Sequence, residues 1–277
     1  MFNRAVIAIA KKDIKNITSN VQVWLPLLIV PLIMVMIYPA VLILAARYAD
    51  LSSLQGIDFI KKLLLNLPAG DLRDTLLSFS TLQQQLVYLV VNYLFIPFFL
   101  IVPAMSASVI AANSFVSEKE GRTLESLLFS PVDIQSLFVG KTLSSLLPTI
   151  ALTFISFVAY GVIVDVLAYP MFGKLIFPTT NWWVLLLWVI PMISATCILA
   201  NVLISARVKT FQAANQLSGL IILPILLLLA GQFTGLLLLS SWVLLVIGGV
   251  LLLFNLFFLR KVTHLNSRNR LFESQIH

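Results

Sequence analysis

The chain has 277 residues, of which 60% are hydrophobic and 10% charged, and its Lys and Arg outnumber its acids for a net charge of +7. A soluble domain carries about a quarter charged residues, so this composition, with a mean hydropathy of +1.03, excludes a water-soluble globular protein and places most of the surface in lipid. The single cysteine, Cys197, lies in an apolar run, which excludes a disulfide framework and reads as a small buried hydrophobe.

The first residues lack the continuous apolar core and small-residue cleavage site of a removable signal peptide. Val6, Ile9, Ala10, Ile14 and Ile17 instead recur at helical spacing, with Lys11, Lys12 and Lys15 opposite them. The pattern predicts an amphipathic helix within residues 1–20, lying along the membrane surface. A membrane span needs about 20 apolar residues to cross about 30 Å of hydrocarbon. Six runs qualify: 24–46, 86–115, 134–164, 183–206, 217–239 and 242–259. The second and third exceed that minimum, so they tilt or project beyond the bilayer. Pro97 and Pro103 predict kinks in the second run, and its Ala104, Ser108 and Ala112 form a small-residue ridge suited to close helix contact. Trp182, Trp183 and Trp242 stand at span ends, where they read as interface anchors. Only Ser240 and Ser241 separate the last two runs, so two full spans with a tight turn compete with one re-entrant segment over 217–259.

The outer segment 47–85 is too long for a simple turn. Its periodicity predicts two short amphipathic helices, 57–65 and 72–82, divided by Pro68 and Gly70 and resting on the outer face; a solvated connector is the alternative. The chain therefore reads as an all-α membrane protein with an interfacial helix at 1–20, a six-helix transmembrane domain at 21–262 and a tail at 263–277. Six spans leave both termini on one side. With that side inside, thirteen Lys and Arg face inward and five outward, which predicts cytoplasmic termini and a multi-pass protein of the cell membrane. The basic balance is thus a signature of topology and gives no reason to expect a nucleic-acid partner.

Between the second and third runs sits a charged island, 117–131, the most polar stretch in the first two-thirds of the chain. Gly121 breaks any helix continuing from the second span. Thr123 can cap a new helix whose Leu124, Leu127 and Leu128 share one face, with Glu125 in its first turn where the helix dipole favours a carboxylate. Pro131 disfavours helical geometry at Ser130 and ends the helix after about two turns. A competing capping box at Ser117 and Glu120 runs immediately into Gly121. A helix this short is marginal alone, and a leucine face on a loop has the form of a helix that fills a partner's groove.

Glu118, Glu120, Thr123, Leu124, Glu125 and Pro131, followed by Gly140 and Lys141 at the start of the next run, resemble in order the segment between the second and third spans of type-2 ABC exporter permeases. The plan of an amphipathic helix followed by six spans is similar too. The resemblance implies that 123–130 is a coupling helix fitting a cleft in a separate ABC ATPase, with Glu118, Glu120, Gly121 and Arg122 at its approach. It also implies a bacterial or archaeal plasma membrane, a second permease copy, with the ridge of Ala104, Ser108 and Ala112 as one candidate part of the contact, and ATP and Mg bound by the ATPase. Arg122 stands where the family often has Gly and Thr adjacent, a departure that leaves the docking register open by one residue.

The chain has no phosphate-binding loop of its own, because Gly140, Lys141 and Thr142 reproduce only the end of one. His264 and His277 suggest no metal site, and no catalytic constellation can be assembled. The expected chain is a non-catalytic permease subunit without its own cofactor. Among the polar residues within the spans, Gln83, Gln84, Gln85, Asn92 and Tyr93 cluster at the outer end of the second. Gln85, Asn92 and Tyr93 are candidates for a substrate path, although such residues more often join helices. Asn201, Asn215, Gln216, Gln232 and Asn255 are scattered later in the chain, and Asp165 falls near the outer interface. A membrane scaffold or sensor that recruits a cytoplasmic partner is the rival reading. A secondary transporter finds less support, for want of a charged central relay and internal repeats.

Overall fold

The computed structural model describes residues 2–48, 71–120, 134–208, 210–233 and 239–265. Every regular element among them is helical. The first helix, α1, is Phe2–Ser19. The first span, α2, combines Val21–Pro31, a π-helical turn Leu32–Ile37 and Tyr38–Tyr48. A short helix α3, Asp71–Leu77, precedes the second span α4, which joins Leu82–Leu89, a π-helical turn Val90–Leu94 and Ile96–Glu120. The third span α5 is the continuous helix Ile134–Phe172. The fourth, α6, runs through Thr180–Val184, a π-helical turn Leu185–Val189 and Ile190–Arg207. The fifth, α7, is Phe211–Ser218, a 3-10 turn Gly219–Ile222 and Leu223–Phe233, and the sixth, α8, is Ser241–Leu265.

Six candidate spans are therefore present. The fifth and sixth are separate: Phe211–Gln232 has 22 residues, about 33 Å at 1.5 Å per residue, enough to cross without re-entry. The expected outer helix 57–65 and the tail beyond 265 lie outside the described residues. The expected helix 72–82 is instead α3, ending at Leu77. Thr81 then starts α4 with a capping box, its side chain accepting from the Gln84 backbone while the Gln84 side chain accepts from the Thr81 backbone.

Each π-helical turn lies two or three residues before a proline: Pro39, Pro97 and Pro191. A proline inside a helix lacks the donor for the carbonyl four residues earlier, and its ring crowds that carbonyl. A wider turn just upstream relieves the crowding, which ties these bulges to specific prolines.

The second span is the axis of the bundle. It is almost wholly enclosed, whereas the fifth and sixth turn most of their surface outward. It packs against α2, α5, α6 and α7, while α8 packs on α6. Ala104 and Ala112 are fully buried and Ser108 nearly so. The small-residue ridge therefore admits helices of the same chain and is not open to a second copy, because α6 and α7 occupy the approach. Around Phe95, Phe99, Tyr160 and Phe177, an aromatic core has ring centroids 4.9–5.2 Å from Trp182 or from one another, as for Tyr160 with Trp182 at 4.9 Å and Phe99 with Trp182 at 5.2 Å. Trp182 is fully buried in it, correcting the expectation of an interface anchor. Trp183 and Trp242 are exposed, as an anchor requires. Tyr160 donates its hydroxyl to the Val91 carbonyl at 2.9 Å, pinning α5 to the π-helical turn of α4.

On α8, Gly248 admits the Trp188 indole of α6, which donates to the Leu245 carbonyl at 3.2 Å; a Cβ on Gly248 would lie 2.2 Å from the indole nitrogen. Gly248→Ala is expected to destabilise the bundle by about 1–3 kcal/mol through this overlap, read as a lower unfolding midpoint in detergent.

Candidate functional site

The end of the bundle that carries α1 is built around an acid in an apolar stripe. Among the described side chains of α1, Val6, Ala10, Asp13 and Ile17 are buried, at spacings of four, three and four, so they share one helical face. Ile17 packs with Val23 and Leu27 of α2 and with Val109 and Ile110 of α4. Toward α5, Gly140 lets Ile9 come close: a Cβ on Gly140 would lie 3.0 Å from the Ile9 Cβ. Apolar contact therefore seats α1 on the bases of the second and third spans, and its lysines Lys11, Lys12 and Lys15 face outward.

Asp13, 4% exposed, meets groups from both spans. The Ser114 hydroxyl of α4 donates to Asp13 Oδ2 at 2.6 Å, and Ser144 Oγ of α5 stands 3.4 Å from the same oxygen. Lys141 of α5, 3% exposed, places Nζ 3.6 Å from Asp13 Oδ2 and donates to the Ser114 carbonyl. The ammonium also lies 5.6 Å from the centroid of the Phe115 ring, a favourable distance for a cation over an aromatic face. Burying either charge alone costs several kcal/mol. Here each has an opposite charge and further hydrogen-bonding partners, the condition under which a buried pair is tolerated.

The pair lies near the two helix ends that flank the charged island in the chain. Ser114 is six residues from the end of α4 at Glu120, and Lys141 is seven from the start of α5 at Ile134, each about 10 Å along its helix. Glu118 and Glu120 fall on the last turn of α4. Gly121, Arg122, Thr123, Leu124, Glu125, Leu127, Leu128 and Pro131 lie outside the described residues, between two helix ends that the Asp13 cluster joins.

At the opposite end, the amide candidates bond to backbone. Gln84 donates to the Met171 carbonyl at 2.6 Å, tying α4 to α5, and Gln85 donates to the Phe79 carbonyl at 3.4 Å. Asn92 is fully buried and donates to the Tyr88 carbonyl at 3.3 Å. Pro97 has no N–H to offer the Tyr93 carbonyl, and Gln232 of α7 donates to it at 3.1 Å. Asn92 Oδ1 and Gln232 Oε1 are buried without a hydrogen-bond partner among the described residues. Asp165 Oδ1 accepts from the Ile176 and Phe177 amides at 3.0 and 3.1 Å, holding the loop after α5. Gln232→Leu is expected to strip the Tyr93 carbonyl of this donor and to cost about 0.6–1.7 kcal/mol, measured as a shift in the detergent unfolding midpoint.

Of the other polar residues within the spans, Asn201 accepts from Ser218 at 2.5 Å, linking α6 to α7, and Asn255 accepts from Thr196 at 2.8 Å, linking α6 to α8. Asn215 and Gln216 are exposed on α7. Sequence reasoning missed Asp13, Ser114 and the burial of Lys141. The available signal was Asp13 itself, which falls three residues after Ala10 and four before Ile17 on a face otherwise apolar. Among the described residues, no three His, Cys, Asp or Glu side chains gather as metal ligands would.

Residues 7–241 match the family model of the ABC-2 family transporter protein, a stretch that runs from α1 to the start of α8. No curated protein and no solved structure matches the chain.

Proposed function

Because the chain belongs to the ABC-2 family of transporter proteins, in which it is a transmembrane permease, we propose that it exports its substrate with energy from a separate ABC ATPase docked on residues 123–130. The observation that carries this reading is the position of the charged island. It connects the base of the most enclosed span to the base of the third, so a force applied to it acts on the axis of the bundle. The excess of Lys and Arg on the segments at the α1 end makes that end cytoplasmic, with both termini on the same side.

Two permeases and two ATPases form the working unit, with ATP and Mg held by the ATPases. Closure of the ATPases moves the island, and the spans rock to open a path outward. Because the ridge of Ala104, Ser108 and Ala112 is buried within the chain, the second copy uses another surface. Gln85, Asn92 and Tyr93 remain the proposed contacts of a substrate path; the buried Asn92 Oδ1 without a partner supports that reading.

The test is to co-express the chain with an ABC ATPase, taken from the adjacent genes where one is encoded there, purify the assembly and measure ATP hydrolysis in proteoliposomes. The exporter reading expects a stable assembly that hydrolyses ATP faster than the ATPase alone. A partner that binds without any hydrolysis would favour the scaffold or sensor.

A further inference from the structure

The reading of residues 123–130 as the ATPase-docking segment does not say how that segment moves two long helices together. If pulled only at its ends, a short connector would splay α4 from α5 before it tilted either. The Asp13 cluster lies where such splaying would begin. Asp13 Oδ2 accepts from Ser114 of α4 at 2.6 Å and lies 3.6 Å from Lys141 Nζ of α5, while Lys141 donates across to the Ser114 carbonyl. Three helices thus meet through two charges and two serines, about 10 Å along α4 and α5 from the helix ends that lead into the segment.

Apolar packing already seats α1 through Val6, Ala10 and Ile17, so the ion pair is not needed merely to hold the helix on the bundle. Apolar contacts have little directionality and allow sliding. A buried charge pair with hydrogen bonds at set positions has one low-energy register, and fixing a register is the best-supported role for buried ionic groups.

Resting on the proposed docking of an ATPase, we infer that Asp13 and Lys141 are positioning residues that make α1 and the bases of α4 and α5 one rigid body, so that α1 travels with the docking segment through the ATP cycle. The pair touches neither substrate nor nucleotide and acts through the segment beyond it. The interfacial helix is then part of the transmission, because it is held to the moving spans by a contact that cannot slip.

The experiment uses the full chain assembled with its ATPase in proteoliposomes, read as ATP hydrolysis per assembled complex. Asp13→Asn keeps the size of the side chain and an acceptor for Ser114 but removes the charge facing Lys141. It is expected to lower hydrolysis per complex at least about tenfold, within the range of couplings between sites, without a matching loss of assembled complex. Ile9→Cys with Gly140→Cys then offers a reversible replacement, since a Cβ on Gly140 would lie 3.0 Å from the Ile9 Cβ, near the separation a disulfide bridges after a small adjustment. Cys197 is fully buried and does not compete.

Oxidation of this cysteine pair in the Asp13→Asn chain is expected to return hydrolysis to within about twofold of the native complex, and reduction to remove the gain. In the otherwise native chain the disulfide is expected to leave hydrolysis intact, because α1 and α5 do not separate. Unchanged hydrolysis per complex in Asp13→Asn, or a disulfide that halts the native complex, would overturn the inference. Loss of assembled complex alone would also overturn it, as the pair would then serve only stability. Failure of the native chain to assemble with or stimulate any ABC ATPase would instead defeat the docking reading on which the inference rests.

Discussion

Lys141→Met is expected to weaken the seating of α1 by about 3–5 kcal/mol, the cost of breaking a buried ion pair by removing one partner. Asp13 is 4% exposed, so its carboxylate cannot recover water without movement of the helix. Serine hydroxyls at 2.6 and 3.4 Å remain beside it, but they do not neutralise it. The helix would lift from the bundle and expose its backbone around Lys11, Lys12 and Lys15. Limited trypsin digestion reads this directly, because cleavage within a docked helix requires local opening; a loss of 3 kcal/mol raises the open population about a hundredfold. Asp13→Leu combined with Lys141→Met removes both charges and is expected to restore most of the protection, since an apolar pair of similar volume often replaces a buried ion pair without loss. Digestion of Lys141→Met at the native rate would show that Asp13 is not held as a buried charge against Lys141.

The second large effect is expected outside the membrane. Replacing Leu124, Leu127 and Leu128 together by Asp puts three charges on the proposed docking face. Burying a leucine side chain contributes about 1.5–3 kcal/mol, so loss of three such contacts reduces affinity for the ATPase by at least about a thousandfold. The expected result is a chain that inserts, retains its trypsin-resistant α1, and no longer purifies with the ATPase or stimulates hydrolysis. Co-purification at the native level, with native hydrolysis, would remove the segment from the docking surface.

Much of the fold was legible because span length and apolar composition are imposed by the thickness of the bilayer. All six runs correspond to helices, with the third extended to Phe172 and the fifth begun at Phe211. Prolines 97 and 103 marked the second span as irregular, but the local remedy at Pro97, a π-helical turn at Val90–Leu94 with Gln232 serving the Tyr93 carbonyl, depends on a neighbour 139 residues away. Trp182 and Trp183 are adjacent and chemically identical, yet one is the centre of an aromatic core and the other is exposed. Only the rotation of α6 against α4 and α5 separates them, and composition does not encode that rotation.

The small-residue ridge shows the same limit. Its close-packing chemistry was readable in Ala104, Ser108 and Ala112, whereas the identity of the helices packed on it was not, and they belong to the same chain. At the α1 end, the eye is drawn to the many exposed lysines of an amphipathic helix, while the informative charge is the acid on the opposite face. Asp13 finds its partner 128 residues away, beyond any local pattern. The amides at the other end stand out in the sequence as polar residues in an apolar context, and Gln84 and Gln85 bond to backbone carbonyls there.

The central claim is that residues 123–130 of this ABC-2 family permease dock an ABC ATPase. A photocross-linking amino acid at Leu127, activated in proteoliposomes containing the complete assembly, tests it most directly. The account predicts a cross-linked species of permease plus ATPase that forms with the native segment and disappears when Leu124 and Leu128 are replaced by Asp. Cross-links from Leu127 only to lipid or to the permease itself, in an assembly that still hydrolyses ATP, would contradict it.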